Sequence, residues 1–254
     1  MPDFAGGGAV FADNPQTIMR RHLLPLATVL SLLSAVAFAG DANTLTDAEK
    51  SAGWKLLFDG KTLGGWQPVG QAGAPVTGWA VQDGVLFHGK AAGGGDIVTV
   101  ENYGDFELTW EWKIGDVANS GLKYNLPNAV KGVGFEYQLV DDEKHPDGVR
   151  GGRLHVTASL YDLIEPSADR KVKPAGEWNG SRVVVNGDHV EHWLNGVKVV
   201  EFDCGSDDLK ARIAKSKFQN VANFGAKTAS PILLQDHGDE VSFRNLKLRA
   251  PAAK

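Results

Sequence analysis

Glu136 and Gln138 stand two apart in Phe135-Glu-Tyr-Gln-Leu-Val140, a run in which residues two apart share one strand face. A carboxylate beside a carboxamide can grip a pair of sugar hydroxyls, and the carboxylate can act as a base. The competing reading is a solvated outer face. Gln235-Asp236-His237-Gly238 puts a histidine where a strand signal runs into a turn, and an imidazole there titrates near neutral pH as acid or base. Glu136 and His237 are the candidate catalytic groups, Gln138 and Gln235 the candidate binding groups beside them, and Asp236 an orienter of a neighbour.

Lys173-Pro-Ala-Gly-Glu-Trp-Asn179 sets a tryptophan among polar groups, a combination that suits a pyranose ring because its C–H groups meet the negative face of the indole. Lys173, Glu177 and Trp178 are therefore read as substrate contacts, against the commoner fate of tryptophan in a core. Asn119-Ser-Gly121 has the composition of a turn, and Asn119 and Lys123 are further candidate contacts. Asp141, Asp142, Glu143, His145 and Asp147 cluster in sequence, but their spacing matches no compact ligand set, so they are read as a solvated acidic loop; no cofactor is expected, and a divalent metal stays open as the alternative. Cys204 is the only cysteine, which excludes an internal disulfide and any Cys-built metal site; it is expected to be unpaired and uninvolved in catalysis.

These groups must be carried by strands. In Phe106-Glu-Leu-Thr-Trp-Glu-Trp-Lys113 the apolar residues alternate with polar ones, which gives one core face and one outer face. Arg182–Gly187, His189–Gly196 and Val197–Phe202 form a predicted meander whose two connections contain Asn-Gly, the pair favoured by type I′ turns because both central residues need positive φ. Further strands are predicted at Trp79–His88, Phe135–Val140, Ile232–Gln235 and Val241–Leu248. The one helix candidate is Asp207–Lys217, capped by Ser206. Glycine accounts for 31 of 254 residues, against a usual ~7%, and falls mostly between strands. The pattern predicts an all-β sandwich with many turns and one short helix.

At the N-terminus, Met19-Arg-Arg-His22 precedes an apolar stretch from Leu23 to Phe38 and an Ala37-Phe-Ala39 triplet. That order is a signal-peptide pattern, and the stretch is short of the ~20 apolar residues of a membrane span. Residues 1–39 are read as leader and signal peptide, with Met19 an alternative initiator, and 40–254 as one exported, periplasmic or extracellular domain. A net charge of −5 without a Lys/Arg cluster argues against nucleic acid and anionic membrane as partners.

The blocks Trp54-Lys-Leu-Leu-Phe-Asp-Gly60 to Trp66, Trp79-Ala-Val-Gln-Asp-Gly-Val-Leu86, Tyr103-Gly-Asp-Phe-Glu-Leu108, Asn119-Ser-Gly121, Glu136-Tyr-Gln138, Lys173–Asn179, Glu191-His-Trp-Leu-Asn-Gly196, Leu234-Gln-Asp-His-Gly238 and Phe243-Arg-Asn245 together resemble the 3-keto-disaccharide hydrolase family. They occur in the family's order over nearly all of 40–254. The resemblance implies a concanavalin-like jelly roll with a concave face that receives a small carbohydrate, and cleavage of glycosides oxidised at the sugar's 3-position. Leu122-Lys-Tyr-Asn-Leu-Pro127, where many relatives place an arginine, and Ser230-Pro-Ile-Leu-Leu234 depart from the family pattern. Glu107 and Glu111 share a face but lack the close acidic set of a retaining glucanase. Hydrolysis and elimination both remain open, and a non-catalytic carbohydrate-binding module or a surface interaction module are the rival readings.

Overall fold

The computed structural model describes residues 41–251, so the expected signal peptide lies outside the described residues. The strands are β1 (Lys55–Leu56), β2 (Trp66–Pro68), β3 (Trp79–Gln82), β4 (Val85–His88), β5 (Ile97–Thr99), β6 (Phe106–Ile114), β7 (Asn119–Asn128), β8 (Val133–Val140), β9 (Asn179–Asn186), β10 (His189–Leu194), β11 (Val197–Asp203), β12 (Leu233–Leu234) and β13 (Val241–Arg249). Three short helices, α1 (Asp47–Ser51), α2 (Pro146–Arg150) and α3 (Asp207–Ile213), replace the single one expected. Ser206 does cap α3, accepting from the Leu209 N–H. The helix stops at Ile213, short of Lys217, because the chain there turns back and the Lys217 N–H donates to Asp162.

One sheet runs β11-β10-β9-β6-β13-β4-β3, with β1 also on β13, and the other runs β2-β5-β12-β7-β8. Every pairing within them is antiparallel. Sequence-distant neighbours such as β6 between β9 and β13 give the jelly-roll winding. Trp79–His88 is a hairpin and not one strand, turning at Asp83-Gly84 with positive φ at both residues. In the meander, Asn195-Gly196 has positive φ at both positions, as type I′ requires. The preceding turn differs: Asn186 ends β9, and of the turn pair Gly187-Asp188 only Gly187 has positive φ, the requirement of type II′.

The core lies between the sheets. Phe106, Leu108, Trp110 and Trp112 of β6 face Leu122 and Tyr124 of β7 and Phe135, Tyr137 and Leu139 of β8, all of them buried. Trp110 meets Tyr137 edge-on at 5.0 Å. Two polar chains cross this apolar layer. Trp112 Nε1 donates to Ser181 Oγ, Ser181 to the Tyr137 hydroxyl and Tyr137 to the Trp193 carbonyl, at 2.8, 2.8 and 3.1 Å. In the other, His192 Nδ1 lies 3.2 Å from the Ala158 carbonyl, which only accepts, so Nδ1 carries the proton and Nε2 accepts from Tyr124 at 2.6 Å. Burial lowers the His192 pKa to about 4.

Candidate active site

Inward and outward residues alternate along β7 and β8, so the face turned away from the core carries Asn119, Gly121 and Lys123 from β7 and Glu136 and Gln138 from β8. Register does the rest. Lys123 is paired with Glu136 across the strands and Gly121 with Gln138, while β12 places Leu233 opposite Lys123 and the Gln235 N–H donates to the Gly121 carbonyl. The Lys123 ammonium thus stands 3.7 Å from the Glu136 carboxylate and 4.0 Å from Asp96. Gly121 leaves room for the Glu136 and Gln235 side chains: a Cβ there would lie 3.0 Å from Glu136 Oε1 and 3.2 Å from Gln235 Oε1.

Asp96, at the end of Gly93-Gly-Gly-Asp96, accepts from the Asp236 N–H at 2.9 Å. Burial raises its carboxyl pKa, and the charge of Lys123 opposes the rise. Asp236 accepts from the Gly238 and Gly95 N–H groups at 2.7 and 3.0 Å, with the buried His88 ring 3.3 Å away. His237 is exposed at the rim of this face, within the field of Asp96 and edge-on to His145 at 6.2 Å.

The segment after β8 forms a wall. Asp147 accepts from His155 Nδ1 at 2.7 Å, from the Gln138 amide at 3.3 Å and from the Tyr161 hydroxyl at 3.3 Å. Gln138, read as a substrate contact, is wholly buried and instead fixes Asp147, its Oε1 accepting from the Leu139 N–H. Burial, with the charge of Asp147, raises the Tyr161 pKa, so the phenol stays a donor. The Lys217 ammonium sits 4.0 Å above the Tyr161 ring; burial lowers its pKa against the charges of Glu136 and Asp162. The Asn119 backbone donates to Asp239 at 3.0 Å, and its side-chain oxygen, like that of Gln235, is buried without a donor.

Lys173, Glu177 and Trp178 are not part of this cluster. Asn179 opens β9, which belongs to the eight-stranded sheet, and the block leading into it is carried to that sheet's outer face. There Trp178 lies 4.1 Å beneath the Arg244 guanidinium and Lys173 donates to the Trp178 carbonyl, while Glu177 is exposed. Asp96, His155, Tyr161 and Lys217 have no strand periodicity to draw attention to them, the glycine run before Asp96 being the signal available there, and Asp147 stands out only as part of the acidic 141–147 run. Among the described residues, His189, Glu191 and Glu201 offer three ligand atoms within 4.8 Å of one another. Lys198 pairs with both carboxylates, at 3.3 and 2.6 Å, and Arg182 lies 3.9 Å from Glu191, so two cations already stand against the two carboxylates.

The fold is an antiparallel jelly-roll β-sandwich that gathers acid, ammonium and amide groups on one outer face. Residues 53–249 match the 3-keto-alpha-glucoside-1,2-lyase-like domain, and the chain belongs to that family. It is 30% identical over 242 residues to a 3-keto-disaccharide hydrolase of Bacteroides thetaiotaomicron, covering 83% of each chain. A Parabacteroides distasonis structure with a provisional glycosyl hydrolase assignment superimposes with a TM-score of 0.74 at 38% identity, over 83% of this chain and all of the other. A second from the same organism gives 0.62 at 29% identity, over 78% and 99%. The chain is a glycoside hydrolase-like enzyme.

Proposed function

We propose that the protein cleaves the glycosidic bond of 3-keto-glycosides, 3-keto-disaccharides among them, by elimination across C2 and C1. The observation that carries this reading is the Glu136–Lys123 pair, with the Glu136 carboxylate over Gly121. A 3-ketone acidifies the C2 proton; Glu136 removes it, and the Lys123 ammonium stabilises the negative charge that develops on the ketone oxygen. The names of the related domain and of the Bacteroides protein support the substrate class. A pure binding module would show an aromatic platform open to a sugar, whereas Trp54, Trp178 and Trp193 each have an arginine over the ring.

Incubation with a 3-keto disaccharide and with its unoxidised parent, both followed by mass, tests this. Cleavage of the oxidised substrate alone, with a sugar product one water lighter than 3-ketoglucose, is expected. Cleavage of the parent, or a product carrying the full water, would defeat it. We also infer export. The basic, apolar and Ala-x-Ala order of Met19–Ala39 supports it, and N-terminal sequencing of secreted material should start near Gly40.

A further inference from the structure

The wall beside the Glu136–Lys123 pair contains an Asp–His pair to which the reading above gives no role. His155 Nδ1 is 2.7 Å from Asp147, which two further donors, Gln138 and Tyr161, hold in place. The ring packs against Tyr161 at 4.4 Å and against the backbone of Gly151, where a Cβ would come within 2.2 Å of Nδ1. Any side chain at 151 would therefore displace the imidazole. The opposite nitrogen, Nε2, meets only a longer contact, 3.4 Å to Asp162. A histidine anchored through Nδ1, with Nε2 left to exchange partners, is the arrangement of an acid–base imidazole.

Its position ties it to the reacting face. Gln138 shares the Glu136 side of β8, the Tyr161 N–H donates to the Glu136 carbonyl at 3.0 Å, and Glu136, Asp147 and Asp162 all act electrostatically on Tyr161. Asp162 has positive φ and also lines a cleft of about 670 Å³, bounded by Leu154, Ile164 and Arg212. That volume is in the range of ligand pockets.

We propose that His155, oriented by Asp147, is the acid that protonates the departing glycosidic oxygen, with the leaving group lying toward the cleft that Asp162 lines. The proposal rests on the elimination reading. Glu136 takes the C2 proton; the C2 electron pair then forms the C1=C2 bond as the C1–O bond breaks, and the released oxygen takes the proton from Nε2. Glu136 ends protonated and His155 neutral, and exchange with water resets both.

The test compares wild type, His155→Gln and Asp147→Asn on two substrates: a 3-keto disaccharide, whose alkoxide leaving group needs a proton, and a nitrophenyl 3-keto-glucoside, whose leaving group does not. His155→Gln should lose roughly 10²-fold or more on the disaccharide and change little on the nitrophenyl substrate, with Asp147→Asn following the same pattern more weakly. Turnover of the nitrophenyl substrate also reports that the variants fold. Equal losses on both substrates, or none on either, would overturn the assignment of His155. Wild-type failure on both would instead remove the elimination reading, and this proposal with it.

Discussion

Glu136 is held by register and by a missing atom. Its cross-strand partner is Lys123, and the carboxylate lies over the position where Gly121 has no side chain. Glu136→Gln should keep the fold and reduce kcat roughly 10²-fold or more, the scale of a lost general base; steady-state kinetics on a 3-keto disaccharide would show it. Gly121→Ala should shift Glu136 and Gln235 without backbone strain, since its φ is not in the left-handed region. Displacements of that kind cost up to about 10² in rate, so turnover should fall while the melting temperature changes little. Cys204 is expected to behave in the opposite way. It is buried, and burial pushes its thiol pKa up to about 11, which leaves no useful thiolate at neutral pH; Cys204→Ser should retain full turnover.

At the level of elements, β7 and β8 supply the floor of the site and the 141–162 segment supplies its wall. The meander β9-β10-β11 has no part in the floor but closes the eight-stranded sheet, and its turns fix its register. Gly196 sits at φ +84° beside Asn195 at +47°. An L-residue in that region costs about 1–2 kcal/mol. Gly196→Ala should lower the denaturant midpoint accordingly without altering kcat, and an unchanged midpoint would mean that the turn does not hold the meander's register.

In the whole molecule, the two sheets are joined by buried hydrogen bonds as well as by apolar contact, and the His192 link makes stability depend on pH. The imidazole is neutral when folded, with a pKa of about 4 against an unfolded value near 6.5. The unfolded chain therefore binds this proton first. The link is complete above about pH 6.5 and is lost as pH falls toward 4, each tenfold rise in proton concentration within that window weakening the fold by roughly 1.4 kcal/mol. Urea unfolding across that range should show a steeper loss for the wild type than for His192→Asn. Parallel curves would rule out His192 as a source of the acid sensitivity.

Alternation and turn chemistry act over neighbouring residues, which is why the all-β class, the inward face of β6 and the meander were legible in the sequence. The same periodicity put Glu136 and Gln138 on one face. What it could not show was register between distant strands. Asn119-Ser-Gly121 has the composition of a turn, yet it opens β7, because pairing with β8 and β12 outweighs local propensity. The Lys173–Trp178 block has a sugar-binding composition but leads into the opposite sheet. Asp96 and His155 lie outside the strands and Asp147 in the one-turn helix α2, so there is no period to read, and only the folded chain brings them within a few ångströms of their partners. A side chain's type is set by the sequence, but the charge and space around it come from residues far away in the chain, and the tertiary structure alone decides which those are.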